Sequence, residues 1–111
     1  NLDYTGTLCV EYFIDKNNKI YANEIAPRVH NSGHLTINAY NISQFENHVR
    51  AVCNLDQIET IQLHNARMIN LIGEDILEYR NKKLDKNIFF YDYLKKEIKN
   101  MRKMGHVTII E

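Results

Sequence analysis

The sequence predicts an α+β fold, mainly antiparallel, and three observations predict it. Two β-rich runs, residues 7–15 and 19–26, flank the asparagine pair of "KNNK". A capping signal, Ser43-Gln44-Phe45-Glu46, opens an amphipathic helix. Three later runs, "RMINLIG", "NIFFYDYL" and "HVTIIE", have strand composition. The expected architecture is a hairpin and a helix forming one layer pair, followed by a small β-rich barrel or sandwich.

Each element has its own reason. Asparagine tolerates positive φ, so Asn17-Asn18 suits a two-residue hairpin turn. That turn sets a register in which Val10 faces Ile25 and Ile14 faces Tyr21 on a core side. On the other side Cys9 faces Ala26, Phe13 faces Ala22 and Glu11 faces Glu24. Pro27 holds Ala26 extended and ends the second strand, and an irregular loop follows to about Gly33. The helix from Ser43 runs to about Cys53, with Phe45, Val49, Val52 and Cys53 on one stripe; His48 falls at its rim. Residues 54–65 read as a polar connector. "RMINLIG" is a strand stopped by Gly73, and residues 74–87 are a short helix or loop. "NIFFYDYL" and "HVTIIE" are strands separated by the basic turn "KKEIKNMRKMG".

Composition narrows the function classes. The chain has 111 residues, 44% of them hydrophobic, enough for a core and too many for a disordered chain. No apolar run reaches the roughly 20 residues of a membrane span. The opening "NLDYTGTLCVEYF" lies close to strand-like sequence, which suggests a cut through a longer protein. Two cysteines, Cys9 and Cys53, form no disulfide framework and are expected as buried small hydrophobes in a reducing compartment. Net charge is zero, but residues 1–81 hold six Lys/Arg against ten Asp/Glu, whereas residues 82–103 hold eight against three. That balance argues against bulk nucleic-acid binding. It leaves a basic strip for a small anionic ligand, or a solvated lysine-rich face.

The chemistry concentrates in "NEIAPRVHNSGH", residues 23–34. Like charges opposed across strands destabilise a sheet, so the facing pair Glu11 and Glu24 needs an offset. A divalent cation with oxygen ligands supplies one, Mg²⁺ typically taking one or two carboxylates plus substrate phosphates; two solvated glutamates are the alternative. Arg28 follows Glu24 by four positions, and its guanidinium suits a carboxylate, bicarbonate or phosphate, or else a surface acid. Asn31-Ser32-Gly33 is a turn whose N–H groups can form an anion nest. His30 titrates near neutrality and can serve as acid, base or donor. His30 and His34 share an H-x₃-H spacing, but the Asn-Ser-Gly spacer does not suit a helix and no third ligand is evident, so zinc is not expected.

The stretch "VEYFIDKNNKIYANEIAPRVHNSGHLTINAYNISQFENHVRAVCNL" closely resembles the late part of the N5-carboxyaminoimidazole ribonucleotide synthetases, the ATPase subunits of phosphoribosylaminoimidazole carboxylase in the ATP-grasp superfamily. "MINLIG" and "RKMGH" look like the C-terminal domain of that family. The resemblance covers essentially the whole chain but only about the last third of the usual enzyme. It implies a C-terminal portion of an ATP-grasp domain over residues 1–55 and a small β-rich domain over residues 56–111. It further implies a cytoplasmic homodimer that joins bicarbonate to the exocyclic amine of 5-aminoimidazole ribonucleotide, using ATP and forming carboxyphosphate.

By the same resemblance Glu11 and Glu24 bind the Mg²⁺ that bridges the ATP phosphates. Arg28, His30 and Asn31 form the bicarbonate and carboxyphosphate pocket, with Ser32 contributing to substrate binding. Lys96 and Arg102 bind the ribonucleotide 5′-phosphate, with Lys103 beside them and Lys95 an alternative to Lys96. Three departures stand out. Ala26 replaces the asparagine of the commoner Glu-x-Asn pattern, Lys99-Asn100-Met101-Arg102 replaces an Arg-Pro-Gly-Arg turn, and Leu35 replaces a tryptophan. The family's adenine-holding segments, phosphate-contacting lysines and glycine-rich lid are not recognisable here, so this chain alone is expected not to hydrolyse ATP. Two other readings are a formate-dependent glycinamide ribonucleotide transformylase, which carries a similar Pro-Arg-Pro-His run, and a non-catalytic anion-binding module.

Overall fold

In the computed structural model, residues 3–111 are described; Asn1 and Leu2, the first positions of the expected first domain, lie outside the described residues. Strands β1 (Cys9–Ile14) and β2 (Ile20–Ala26) form a two-stranded antiparallel sheet. Its turn differs from the two-residue expectation. Asp15 N–H donates to Lys19 O at 3.0 Å and Asn18 N–H to Asp15 O at 3.0 Å, so the loop is Lys16–Asn18. Asn18 is its left-handed residue, at φ 60°. Asp15 organises the turn: Oδ1 accepts from Asn17 N at 2.8 Å and Lys19 N at 2.9 Å. These bonds, from Lys19 first and then Asn17, lower the pKa of its carboxyl.

The longer turn moves the pairing by one residue. Phe13 pairs with Tyr21 and Ile14 with Ile20, not with Ala22 and Tyr21 as expected. A bulge between Glu11 and Tyr12 then restores the expected pairs Glu11–Glu24, Val10–Ile25 and Cys9–Ala26, leaving Asn23 as the extra residue. Without the bulge, Glu11 would face Asn23 and Glu24 would fall on the opposite side of the ribbon. The expected core side is not covered: Ile14 is 68% exposed and Ile25 55%.

After β2 the chain is more ordered than an irregular loop. A 3₁₀ turn spans Asn31–Gly33 and a short helix, α1, spans Thr36–Ala39. Helix α2 (Gln44–Val52) starts as expected, with Ser43 Oγ accepting from Glu46 N–H at 3.1 Å. Its apolar stripe is exposed, and Gln44 is its buried residue. Cys53 is likewise exposed and Cys9 only half-buried, which corrects the expectation of buried thiols. His48 Nδ1 accepts from Thr7 N–H at 3.2 Å. The connector folds back along α1, where Asn41 Oδ1 accepts from Ile61 N–H at 2.8 Å.

The second half is an open three-stranded antiparallel sheet, ordered β3 (Ala66–Ile72), β5 (Lys103–Ile110), β4 (Ile88–Asp92). It does not close into a barrel. Helix α3 (Asp75–Arg80) follows β3, which ends where Gly73 takes φ 55°. Leu71, Ile76, Met104 and Val107 form the core, with Tyr79, Ile88, Phe90, Ile98 and Ile109 packed against it. Burying each such aliphatic side chain is worth about 2 kcal/mol. Strand β5 is buried from Met104 to Thr108. It begins three positions before the expected "HVTIIE", because Lys103 pairs with Ile72 across a second bulge. No helix among the described residues is long and apolar enough to cross a membrane.

Candidate functional site

The bulged hairpin sets the first part of the site. Glu11 and Glu24 are direct cross-strand partners and share one face. Glu11 is held from the protein side: Oε1 lies 2.9 Å from His30 Nε2, and Oε2 accepts from Asn23 Nδ2 at 3.4 Å. The bulge residue therefore returns its side chain to the acid whose pairing it sets. Glu24 is exposed and has no ion pair among the described residues. Among the described residues no group of three or more His, Cys, Asp or Glu forms a cage. Two carboxylates with open positions fit a hard cation that takes its remaining oxygens from a phosphate-bearing substrate and water.

Beyond Pro27 the loop presents His30. Its backbone is extended, at φ −128° and ψ 152°, where it caps the 3₁₀ turn. Ser32 flanks the ring, with Oγ 2.9 Å from Nδ1 and its N–H directed at Nδ1 from 3.4 Å. An accepting Nδ1 leaves the ring proton on Nε2, toward Glu11. Asn31 Oδ1 is buried without a partner. Arg28 is exposed and donates from Nη1 to Val29 O at 2.9 Å, with no ion pair to Glu24.

His30 and His34 diverge. His34 Nδ1 accepts from Gln44 Nε2 at 2.8 Å, and its ring lies against Phe45 and His106, centroids 5.3 and 5.2 Å apart. His106, on β5, stacks on Tyr91 at 4.6 Å, and its Nδ1 is 2.9 Å from Tyr93 Oη. Tyr91 Oη in turn donates to Asn38 Oδ1 at 2.9 Å. A polar and aromatic path thus crosses from the acidic hairpin to the second sheet. Burial, then His34 and Lys103, lower the pKa of His106 to about 4. Burial, then Lys103 and His30, lower that of His34. Both imidazoles are therefore neutral at pH 7.

The path ends at two lysines. Lys95 and Lys103 each lie 5.6 Å from the Tyr93 ring centroid, and Lys95 Nζ donates to Lys103 O. Burial, then Lys95, lower the Lys103 pKa, and burial raises that of Tyr93. Of the other basic candidates, Lys96 and Arg102 are exposed, and Lys99 is paired with Glu97 at 3.1 Å. Lys103 is thus more enclosed than its place beside Arg102 suggests. A cavity of about 470 Å³ lies elsewhere, against Ile72, Glu74, Asp75, Ile98 and Asn100. Its two acids suit an anionic substrate poorly, so the side-chain chemistry locates the site better than cavity size does.

Sequence reasoning overlooked Gln44, Tyr93 and the role of His106. Gln44 carries no signal in the sequence beyond its place in the capping run Ser43-Gln44-Phe45-Glu46. His106 carried a visible signal, a histidine inside "RKMGH" immediately before an apolar strand.

Two known families match separate parts of the chain. The ATP-grasp domain family matches residues 1–45, and the phosphoribosylaminoimidazole carboxylase C-terminal domain family matches residues 66–111. The N5-carboxyaminoimidazole ribonucleotide synthase of Brucella melitensis is 48% identical over 110 residues, covering 99% of this chain and 30% of that protein. The chain belongs to the N5-carboxyaminoimidazole ribonucleotide synthetase family. The synthetase of Staphylococcus aureus complexed with ADP superposes with a TM-score of 0.90 at 43% identity, covering 97% of this chain and 30% of that one. The Aspergillus clavatus enzyme in complex with ADP and 5-aminoimidazole ribonucleotide superposes with a TM-score of 0.85 at 33% identity, covering 96% and 30%. This chain therefore spans about 30% of the length of the synthetases it matches. Glu11, Glu24, Arg28 and His30 lie in the ATP-grasp match, and Lys95, Lys96, Arg102 and Lys103 in the C-terminal match.

Proposed function

We propose that this chain is part of an ATP-dependent carbon–nitrogen ligase that carboxylates 5-aminoimidazole ribonucleotide with bicarbonate. ATP phosphorylates bicarbonate to carboxyphosphate and ADP. The exocyclic amine then attacks the carboxyl carbon, or CO₂ released from it, and inorganic phosphate leaves. The observation that carries the reading is the like-charged pair Glu11–Glu24, brought onto one face beside His30. Glu11 and Glu24 would hold Mg²⁺, which would supply positive charge to offset that of the phosphates.

The chain's own groups divide the remaining work. Arg28 and Asn31 hold bicarbonate and the developing phosphate charge, with the Ser32 N–H beside them. His30 serves the intermediate in one of two ways, taking a proton from the attacking amine or orienting the leaving phosphate. Lys96, Arg102 and Lys103 bind the ribonucleotide phosphate, with Lys95 beside Lys103. Carboxyphosphate decomposes in water, so this loop works only when closed from solvent. The reading includes a homodimeric, cytoplasmic enzyme, a division of the chain at residues 55/56, and no turnover by the 111-residue chain alone.

Isotope transfer tests the reaction. The intact enzyme, given ¹⁸O-bicarbonate, ATP and the ribonucleotide, should place one ¹⁸O in the phosphate released. Unlabelled phosphate overturns the carboxyphosphate route. Formate-dependent ADP release in place of bicarbonate would instead make the enzyme a transformylase, and tight ligand binding with no ADP release would make it a binding module.

A further inference from the structure

Gln44 stands at the first position of α2 yet is only 8% exposed. Its amide makes three hydrogen bonds, through both N–H groups and one acceptor position of Oε1. Oε1 accepts from His30 N–H at 2.9 Å, while Nε2 donates to His30 O at 2.7 Å and to His34 Nδ1 at 2.8 Å. It therefore engages both backbone groups of His30, as a neighbouring strand would. The clamp is itself anchored. Thr36 Oγ1 accepts from Gln44 N–H at 2.9 Å, and Thr7 Oγ1 donates to Gln44 O at 3.1 Å. Gly33 passes so close to the Gln44 amide that a Cβ there would displace it.

Two consequences follow from the geometry. The His30 backbone is pinned where its Nε2 meets Glu11 at 2.9 Å. The donated bond at His34 Nδ1 leaves that ring's proton on Nε2. The groups around His34 are His30, Phe45, Lys103 and His106, none of which competes for Nδ1.

We propose that Gln44 is a positioning residue for the reaction: its amide sets where His30 meets Glu11 and holds His34 as the Nε2–H tautomer against His106. The catalytic half of this statement rests on the proposed function; the tautomer half does not.

The test uses the intact enzyme with ¹⁵N-histidine, comparing Gln44→Glu and Gln44→Met. Gln44→Glu keeps an acceptor for His30 N–H and replaces both donated bonds. It should move the His34 proton to Nδ1 in the imidazole ¹⁵N spectrum. Gln44→Met keeps volume without hydrogen bonds. It should lower kcat roughly 10- to 100-fold, with the ribonucleotide KM held within about twofold. Combined with His30→Ala it should add little further loss, because it acts through His30. An unchanged His34 tautomer in Gln44→Glu overturns the proposal, as does a fully multiplicative loss in the double variant. If Gln44→Met does not fold, the near-isosteric Gln44→Glu decides the matter by its spectrum. A wild-type enzyme without bicarbonate-dependent turnover would defeat the proposed function, whereas the His34 spectrum would still judge the clamp.

Discussion

The two halves of the chain treat apolar residues differently. In residues 66–111 the apolar residues of β5 are covered within the chain: Met104 and Val107 are fully buried against Leu71 and Ile76. In the hairpin, Tyr12, Phe13, Ile14, Ile20, Tyr21 and Ile25 are all large, and all are 45–68% exposed. Yet the hairpin has a definite register. Turn bonds to Asp15 and the bulge at Asn23 set it, and the Gln44 clamp fixes the loop that follows. An alternating pattern records that a strand needs cover, while hydrogen bonds alone can set its pairing. The geometry of the candidate site depends on the second kind of order, and the core of residues 66–111 on the first.

Four changes would break or sharpen that contrast. Glu24→Gln in the intact enzyme should lower kcat about 1,000-fold, near 4 kcal/mol, with little change in the ribonucleotide KM; steady-state kinetics at saturating Mg²⁺ would show it, and a loss confined to KM would remove Glu24 from the metal pair. Leu71→Ala should destabilise the chain by roughly 3 kcal/mol, while Ile14→Ala should cost about 0.5 kcal/mol or less. Urea unfolding of both variants makes the comparison, and equal costs would mean the hairpin is covered after all.

The third change is in pH. The His106 pKa falls from 6.5 in the unfolded chain to about 4 in the fold, chiefly through burial. The unfolded state binds the extra proton across that window. The stability contributed is complete above pH 6.5 and is lost as pH falls toward 4, by about 3 kcal/mol in all. His106→Phe should flatten the acid limb of urea midpoint against pH, and an unchanged limb would place the titration elsewhere. The last change is Arg102→Ala, the loss of an exposed cation. It should raise the ribonucleotide KM about tenfold and leave kcat nearly unchanged. If it instead matches Glu24→Gln, the division between phosphate binding and chemistry is wrong.

Much of this site could be read along the chain. The strand runs, the Ser43 cap and the stop at Gly73 rest on local propensity and appear nearly where expected. The Glu11–Glu24 pairing was also legible, although by a shorter route than the real one: a three-residue turn and a one-residue bulge cancel each other. Cys53 and the α2 stripe were misjudged because composition indicates a wish for burial and not whether a partner lies within reach.

Residue order along the chain was enough to assign the element types, the acidic and basic clusters and the family, because these depend on neighbours a few positions apart. Packing supplied the rest: the open sheet in place of a barrel, the burial of Gln44, the His34–His106 contact, and the pairing of Lys103 with Lys95. Each of these joins residues tens of positions apart or depends on how enclosed a side chain becomes, and local propensity carries no information about either.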